Sequence, residues 1–253
     1  MTDEIRFFRT PAGVRVAYRR LGMGPPIVFP AWWFSHQDHL WSHPPARTFF
    51  TTLAEHFTVV CYDAPGCGLS DREPPALSLD ARVEVLSALV DHLALGRFAL
   101  FGYSQGGKSA IRYAAEHSER VAQLILLSAP AHPPQPADPV NAAEVWEATK
   151  ALVRASWGLG SSTLVELEAP GANALTREWL AEEARVAVDP DTAIAIFEAF
   201  HAADVWPLLP HIQAPCLVMH RRDERAFPLN ARYRSCGCWR RARATGRSPS
   251  GWC

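Results

Sequence analysis

No uninterrupted apolar run in the sequence approaches the roughly 18 residues that a membrane-spanning helix needs, and the start, MTDEIRFF, lacks the basic-then-apolar layout of a secretory signal. A cytoplasmic location is therefore expected, with no membrane partner. Neither sign of charge is in excess, since 25 Lys and Arg stand against 26 Asp and Glu, so no nucleic-acid partner is expected either. With 48% hydrophobic and 20% charged residues the composition argues against intrinsic disorder. The six cysteines form no CxxC pair. Cys61, Cys67 and Cys216 are scattered, and Cys236, Cys238 and Cys253 crowd the last 18 residues. Neither a disulfide framework nor a zinc site is indicated, and no metal or cofactor is expected. No repeat with a period of about 20 to 50 residues is visible, and 253 residues suffice for one well-buried core.

What is present is a strand-then-helix rhythm. Ile27 to Phe29, Phe57 to Tyr62, Phe98 to Tyr103, Leu124 to Leu127 and Cys216 to His220 are short apolar runs without polar alternation, bounded by Gly, Pro or Asp. Such runs predict strands buried on both faces of a parallel sheet. Ser78 to Leu95 places Val83, Leu86, Leu89, Val90 and Leu93 at helical spacing, and a further helix is expected over Lys108 to His117. Ile5 and Phe7, then Val14, Val16 and Tyr18 around Pro-Ala-Gly, predict an antiparallel hairpin. The class is α/β, a mostly parallel sheet flanked by helices.

From about Pro133 to Val205 the rhythm stops. Three helical patterns follow one another (Ala142 to Trp157, Thr176 to Val188, Asp191 to Ala203) with no strand between, which predicts a helical cap over a substrate pocket. The resulting organisation is a core over 1–132, a cap insertion over 133–205, a core continuation over 206–231 and a basic tail over 232–253. That tail holds six Arg, three Cys and two Trp but no Asp, Glu, Leu, Ile, Val or Phe. It is expected to supply no buried strand. Its composition suits a shifted GC-rich reading frame better than a solvated basic tail.

Gly102-Tyr103-Ser104-Gln105-Gly106-Gly107 follows one of the apolar runs and precedes a helix. A GxSxG wedged between strand and helix is the pattern of a nucleophile elbow. Small residues at 102 and 106 are required because the turn is strained and brings strand and helix backbones close. Ser104 is then presented at the carboxyl edge of the sheet, with the amide of Gln105 at a helix N-terminus, where developing negative charge is stabilised.

With these residues the chain resembles the α/β-hydrolase superfamily, and in particular bacterial hydrolase domains fused to LuxR-type regulators or adenylate cyclases. The resemblance runs from about Ile5 to Leu229, through IRFFRTPAGVRVAY, PPIVFPAWWFSHQDHLW, FTVVCYDAPGCGLSDR, FALFGYSQGG, AAEHSERVAQLILLSAP and HIQAPCLVMHRRDERAFP. It implies an α/β-hydrolase fold and a serine nucleophile, Ser104. It also implies a first oxyanion-hole amide after Ile27 to Phe29. Pro30-Ala31-Trp32 stands there in place of the family's His-Gly-x, so the Trp32 amide would partner that of Gln105. Trp33, Phe34 and Tyr103 are expected to line an apolar pocket. Asp63-Ala-Pro-Gly-Cys-Gly-Leu-Ser-Asp71 is similar to the family's DxPGxGxSD turn, a supporting loop without a catalytic role.

For the catalytic acid, His220, Glu224 and Pro228 match the family's spacing, with Glu224 first and Asp223 as reserve. The triad's histidine should follow, yet the sequence has no histidine after His220, and the last strand and helix of the family pattern are missing. His36, His39 and His43, on the loop after the oxyanion position, are the candidates for a substitute base. The expected function is a serine hydrolase of a small ester, lactone or related carbonyl compound, impaired in this chain. The alternative is a non-catalytic module of the same fold that binds a small ligand. Nothing in the sequence fixes the oligomeric state.

Overall fold

Alternate residues of the central strands face opposite sides of one sheet, and both sides are apolar. The computed structural model describes residues 4–133, 142–157, 171–220 and 239–241. The sheet runs β1 (Ile5–Arg9), β2 (Arg15–Leu21), β4 (Thr58–Tyr62), β3 (Pro26–Phe29), β5 (Phe98–Tyr103), β6 (Val121–Leu127), β7 (Cys216–Met219) and β8 (Trp239–Arg241) in spatial order. β1 and β2 form the antiparallel hairpin, β2 pairs antiparallel with β4, and all other neighbours are parallel. This is the α/β-hydrolase architecture expected from the sequence.

Val28, Val60, Phe98 and Leu100 point to one face and join a core with α3 (Leu79–His92) and α4 (Gly106–Glu116). Ile27, Phe29, Val59, Cys61, Ala99 and Phe101 point to the other and pack on α1 (Gln37–Ser42) and α2 (Pro44–Ala54). Because both faces are covered, these strands carry no polar alternation. The N-termini of the helices follow local chemistry. Ser78 Oγ accepts the Ala81 amide at 3.2 Å to cap α3, a contact worth about 1 kcal/mol.

Between β6 and β7 the described chain contains only helices, α5 (Ala142–Ser156), α6 (Ala174–Ala187) and α7 (Pro190–Ala202), and then a 3-10 helix Trp206–His211. Asn173 caps α6 through the Thr176 amide at 2.9 Å, and Asp189 caps α7 through Thr192 at 2.9 Å, with Pro190 in the first turn. Ala187, Ile196 and Phe200 are buried in the same core as the sheet. No helix among the described residues is long and apolar enough to cross a membrane.

Two expectations need correction. The segment carrying His36, His39 and His43 is not a loop. His36 caps α1, Pro44 and Pro45 open α2, and Ala46, Phe50 and Ala54 repeat every four residues on the buried side of α2. The last strand, expected to be missing, is present as β8 in the tail, so β7 has ladder partners on both sides. A ladder joins backbone amides and carbonyls, which any residue but proline offers, so three residues can extend an edge whatever their side chains. The rest of the 232–253 tail, and the helix expected to be missing beyond the last strand, lie outside the described residues.

Candidate active site

Ser104 holds a left-handed backbone, φ +49°, between β5 and α4. Its N–H donates to the Leu127 carbonyl at 3.0 Å and its own carbonyl accepts the Gly107 amide at 3.0 Å. These bonds offset the roughly 1–2 kcal/mol that such a backbone costs a residue with a Cβ. The surrounding glycines are steric necessities. A Cβ on Gly102 would lie 2.7 Å from Gly107 Cα, one on Gly107 would lie 2.2 Å from Ala129 Cβ, and one on Gly106 would lie 2.5 Å from the Pro30 carbonyl oxygen. The last of these brings the helix N-terminus against the loop that carries Trp32. Gln105 is buried at the start of α4.

That loop is fixed from behind. The Arg82 guanidinium, buried within α3, donates to three successive carbonyls: Nη1 to Ala31 at 3.3 Å and Trp32 at 2.7 Å, and Nη2 to Trp33 at 3.1 Å. Its carbon lies 4.8 Å from the centre of the Phe200 ring on α7. Burial pulls the Arg82 pKa below its ordinary value. The next residues are held by Asp63, whose buried carboxylate accepts Ser35 Oγ at 2.8 Å, the Gln37 amide at 3.1 Å and the Leu69 amide at 3.0 Å. Burial, opposed by these donors, raises Asp63 to about 6. Ser70 Oγ donates to the Asp63 carbonyl at 2.6 Å and accepts from Ala17 at 3.0 Å. The turn from Asp63 to Asp71 thus braces the site from below, as its supporting role requires.

The three aromatics after Ala31 diverge. Trp32 meets Tyr103 edge to face with ring centres 6.1 Å apart. Trp33 donates its indole N–H to the Ala193 carbonyl at 2.9 Å and packs on Phe197 and Trp157. Phe34 is buried against Trp157, ring centres 5.4 Å apart. Tyr103, the residue before Ser104 in the chain, therefore meets Trp32, whereas Trp33 and Phe34 join this loop to α7 and to Trp157 just after α5. A second tie comes from Lys108, whose buried ammonium donates to the Phe200 and Ala203 carbonyls, both at 2.6 Å, at the C-terminal end of α7. Cations are favoured there, but burial still lowers Lys108 to about 8.

Of the proton-transfer groups, Asp223 and Glu224 lie outside the described residues. The three histidines suggested as substitute bases lie along α1 and at the start of α2. His36 Nδ1 accepts the His39 amide at 3.3 Å, and burial lowers its pKa. His39 stacks on Trp179 of α6 at 5.1 Å and bonds its carbonyl through Nε2 at 3.0 Å. His43 stacks on the same indole at 4.3 Å. Among the described residues no group of three or more His, Cys, Asp or Glu is placed to hold a metal ion.

Sequence reasoning passed over Arg82, Lys108 and Trp179. Arg82 was legible in part: it falls three residues after Leu79 and four before Leu86, on the apolar side of α3, where a lone cation needs acceptors. Its acceptors lie 49 to 51 residues away in the chain, which no local pattern reveals.

A family model described as alpha/beta hydrolase fold matches residues 30–156. An uncharacterized protein of Mycobacterium tuberculosis is 33% identical over 122 residues, 48% of this chain but 34% of its own length. The chain thus spans about a third of that relative. A pimeloyl-[acyl-carrier protein] methyl ester esterase of Nitrosomonas europaea is 27% identical over 235 residues, covering 83% of this chain and 81% of the esterase. The crystal structure of the enol-lactonase from Burkholderia xenovorans superposes with a TM-score of 0.73 at 24% identity, covering 93% of this chain and 90% of that one.

Proposed function

The chain belongs to the α/β-hydrolase fold family, and from that premise we propose that it is a serine hydrolase of small esters, lactones or related carbonyl compounds, impaired in the chain as it stands. Ser104 Oγ attacks the substrate carbonyl carbon, and the amides of Trp32 and Gln105 receive the charge that develops on its oxygen. Collapse of that intermediate breaks the bond to the leaving oxygen and gives an acyl-enzyme, which water then hydrolyses. Tyr103, Trp33 and Phe34 supply apolar surface for the acyl or alkyl group. Glu224, with Asp223 in reserve, takes the place of the acid.

The observation that carries this reading is the left-handed Ser104 between β5 and α4, with glycines at 102, 106 and 107 that admit no side chain. A strained backbone of this kind is kept where the fold over-determines it, and it presents the hydroxyl. The missing part is the base. Without an imidazole the hydroxyl proton must pass to solvent, and both acylation and deacylation slow. The absence of histidine beyond His220, with His39 and His43 stacked on Trp179, favours a second reading, a module that binds a small ligand without turning it over. No metal or organic cofactor enters either reading.

Mass spectrometry after treatment with a fluorophosphonate tests the first reading. The expected result is one phosphonyl adduct, on Ser104, that is absent from Ser104→Ala. An adduct on another serine with Ser104 untouched overturns it.

A further inference from the structure

We propose that Arg82 is a positioning residue that sets the direction of the Ala31–Trp32 peptide, and through it the oxyanion hole of the proposed reaction. The inference rests on that reaction for its chemistry and on the described contacts for its geometry.

The peptide bonds are trans throughout the described chain, so the carbonyl of one residue points opposite to the N–H of the next. Holding the Ala31 oxygen on Arg82 at 3.3 Å therefore turns the Trp32 N–H to the far side of the loop from α3. The bonds to Trp32 at 2.7 Å and Trp33 at 3.1 Å do the same for the next two amides. A single rigid fork thus fixes three consecutive peptide planes, which an ammonium on a flexible stem cannot reproduce.

The loop needs this. Ala, Trp and Trp follow Pro30, and no glycine is present to choose its own conformation. Gly106 leaves the loop the room it needs, since the Pro30 and Ala31 carbonyl oxygens lie 2.5 and 3.2 Å from a would-be Cβ there. A flipped Ala31–Trp32 peptide would move its oxygen off Arg82, leave the buried guanidinium two of its three acceptors and put a carbonyl where the N–H should be. The Phe200 ring under the guanidinium, 4.8 Å away, extends the hold to α7.

The test uses Arg82→Lys, which keeps the charge and loses the fork, and Arg82→Met, which keeps bulk alone. Two quantities are read on each folded variant: the rate constant and half-saturation of Ser104 phosphonylation, and hydrogen exchange of the 30–34 segment. The expected result for both is a maximal rate reduced about 10²-fold, as for loss of one oxyanion donor, with half-saturation within about twofold. Exchange should quicken at 30–34 and stay unchanged in β5. Maximal rate and 30–34 exchange equal to those of the parent, whatever the melting temperature, overturn the proposal and leave Arg82 a packing residue. If the parent itself is labelled at a serine other than Ser104, the hydrolase reading falls. Exchange at 30–34 then decides separately whether Arg82 holds the loop.

Discussion

The two halves of the sheet's carboxyl edge are built to different standards. On the β3–β5 side, Ser104 and loop 30–34 are enclosed by fully buried neighbours: Val28 and Leu100 are 0% exposed, glycines allow backbone contact, and Arg82 and Asp63 anchor the loop through buried polar bonds. On the β6–β7 side every residue of β7 is half-buried, and the strand beyond it has three residues. The difference falls along a chemical line. The half proposed to supply the nucleophile and to receive negative charge is the more enclosed. In the other half β7 is half-buried along its length, and no histidine follows His220 in the sequence.

Truncation of matched apolar residues should reproduce this contrast. Leu100→Ala, at the centre of β5, is expected to lose about 2–5 kcal/mol of unfolding free energy in urea titration. Val218→Ala in β7 should lose about 1 kcal/mol or less, because part of that side chain already meets water. Equal losses at the two sites break the comparison.

Asp63→Ala should cost about 1–3 kcal/mol for each of the buried donors it strands, namely Ser35 Oγ and the amides of Gln37 and Leu69. The same titration measures it, and a loss under about 0.5 kcal/mol would show that the loop does not depend on the carboxylate.

The smallest effect is a change of pH slope. Burial, with the charge of Lys108 nearby, pushes His201 down to about 4. The unfolded chain therefore binds a proton near 6.5 that the folded chain refuses, and stability is lost as pH falls from about 6.5 towards 4. Asp63, raised to about 6 from 3.8 by burial, acts in the opposite sense. Its contribution is greatest below its unfolded value and is lost as pH rises through about 6. The two slopes oppose each other in one window. His201→Asn should leave the Asp63 slope alone, making the variant less sensitive to acid than the parent between pH 6.5 and 4.5. Denaturation midpoints at three pH values measure this, and parallel profiles for variant and parent contradict it.

The strands β3 to β7 were legible because each holds a short apolar run bounded by turn residues, β1 and β2 because apolar residues alternate around Pro-Ala-Gly, and the elbow because GYSQGG falls between such a run and a helix. The DxPGxGxSD turn was legible as a brace, although not the route by which Asp63 reaches Ser35 and Gln37. What stayed hidden depends on distant partners. Arg82 looks like a flaw in the apolar face of α3 until the carbonyls of loop 30–34 are laid beside it. The stacking of His39 and His43 on Trp179 of α6 is likewise invisible to a local pattern, because it spans about 140 residues of chain. β8 was hidden for another reason: its ladder is made by the backbone, and composition reports only on side chains.

The central proposal is that Ser104 is the nucleophile and that none of these 253 residues serves it efficiently as a base. Steady-state turnover of a p-nitrophenyl ester by the 253-residue chain, with Ser104→Ala as the blank, tests it most directly. Loss of a triad member costs about 10⁴- to 10⁶-fold against a usual value near 10 per second, so about 10⁻³ per second or less is expected. Turnover near 10 per second that vanishes in Ser104→Ala would contradict the account, because a base would then be serving Ser104.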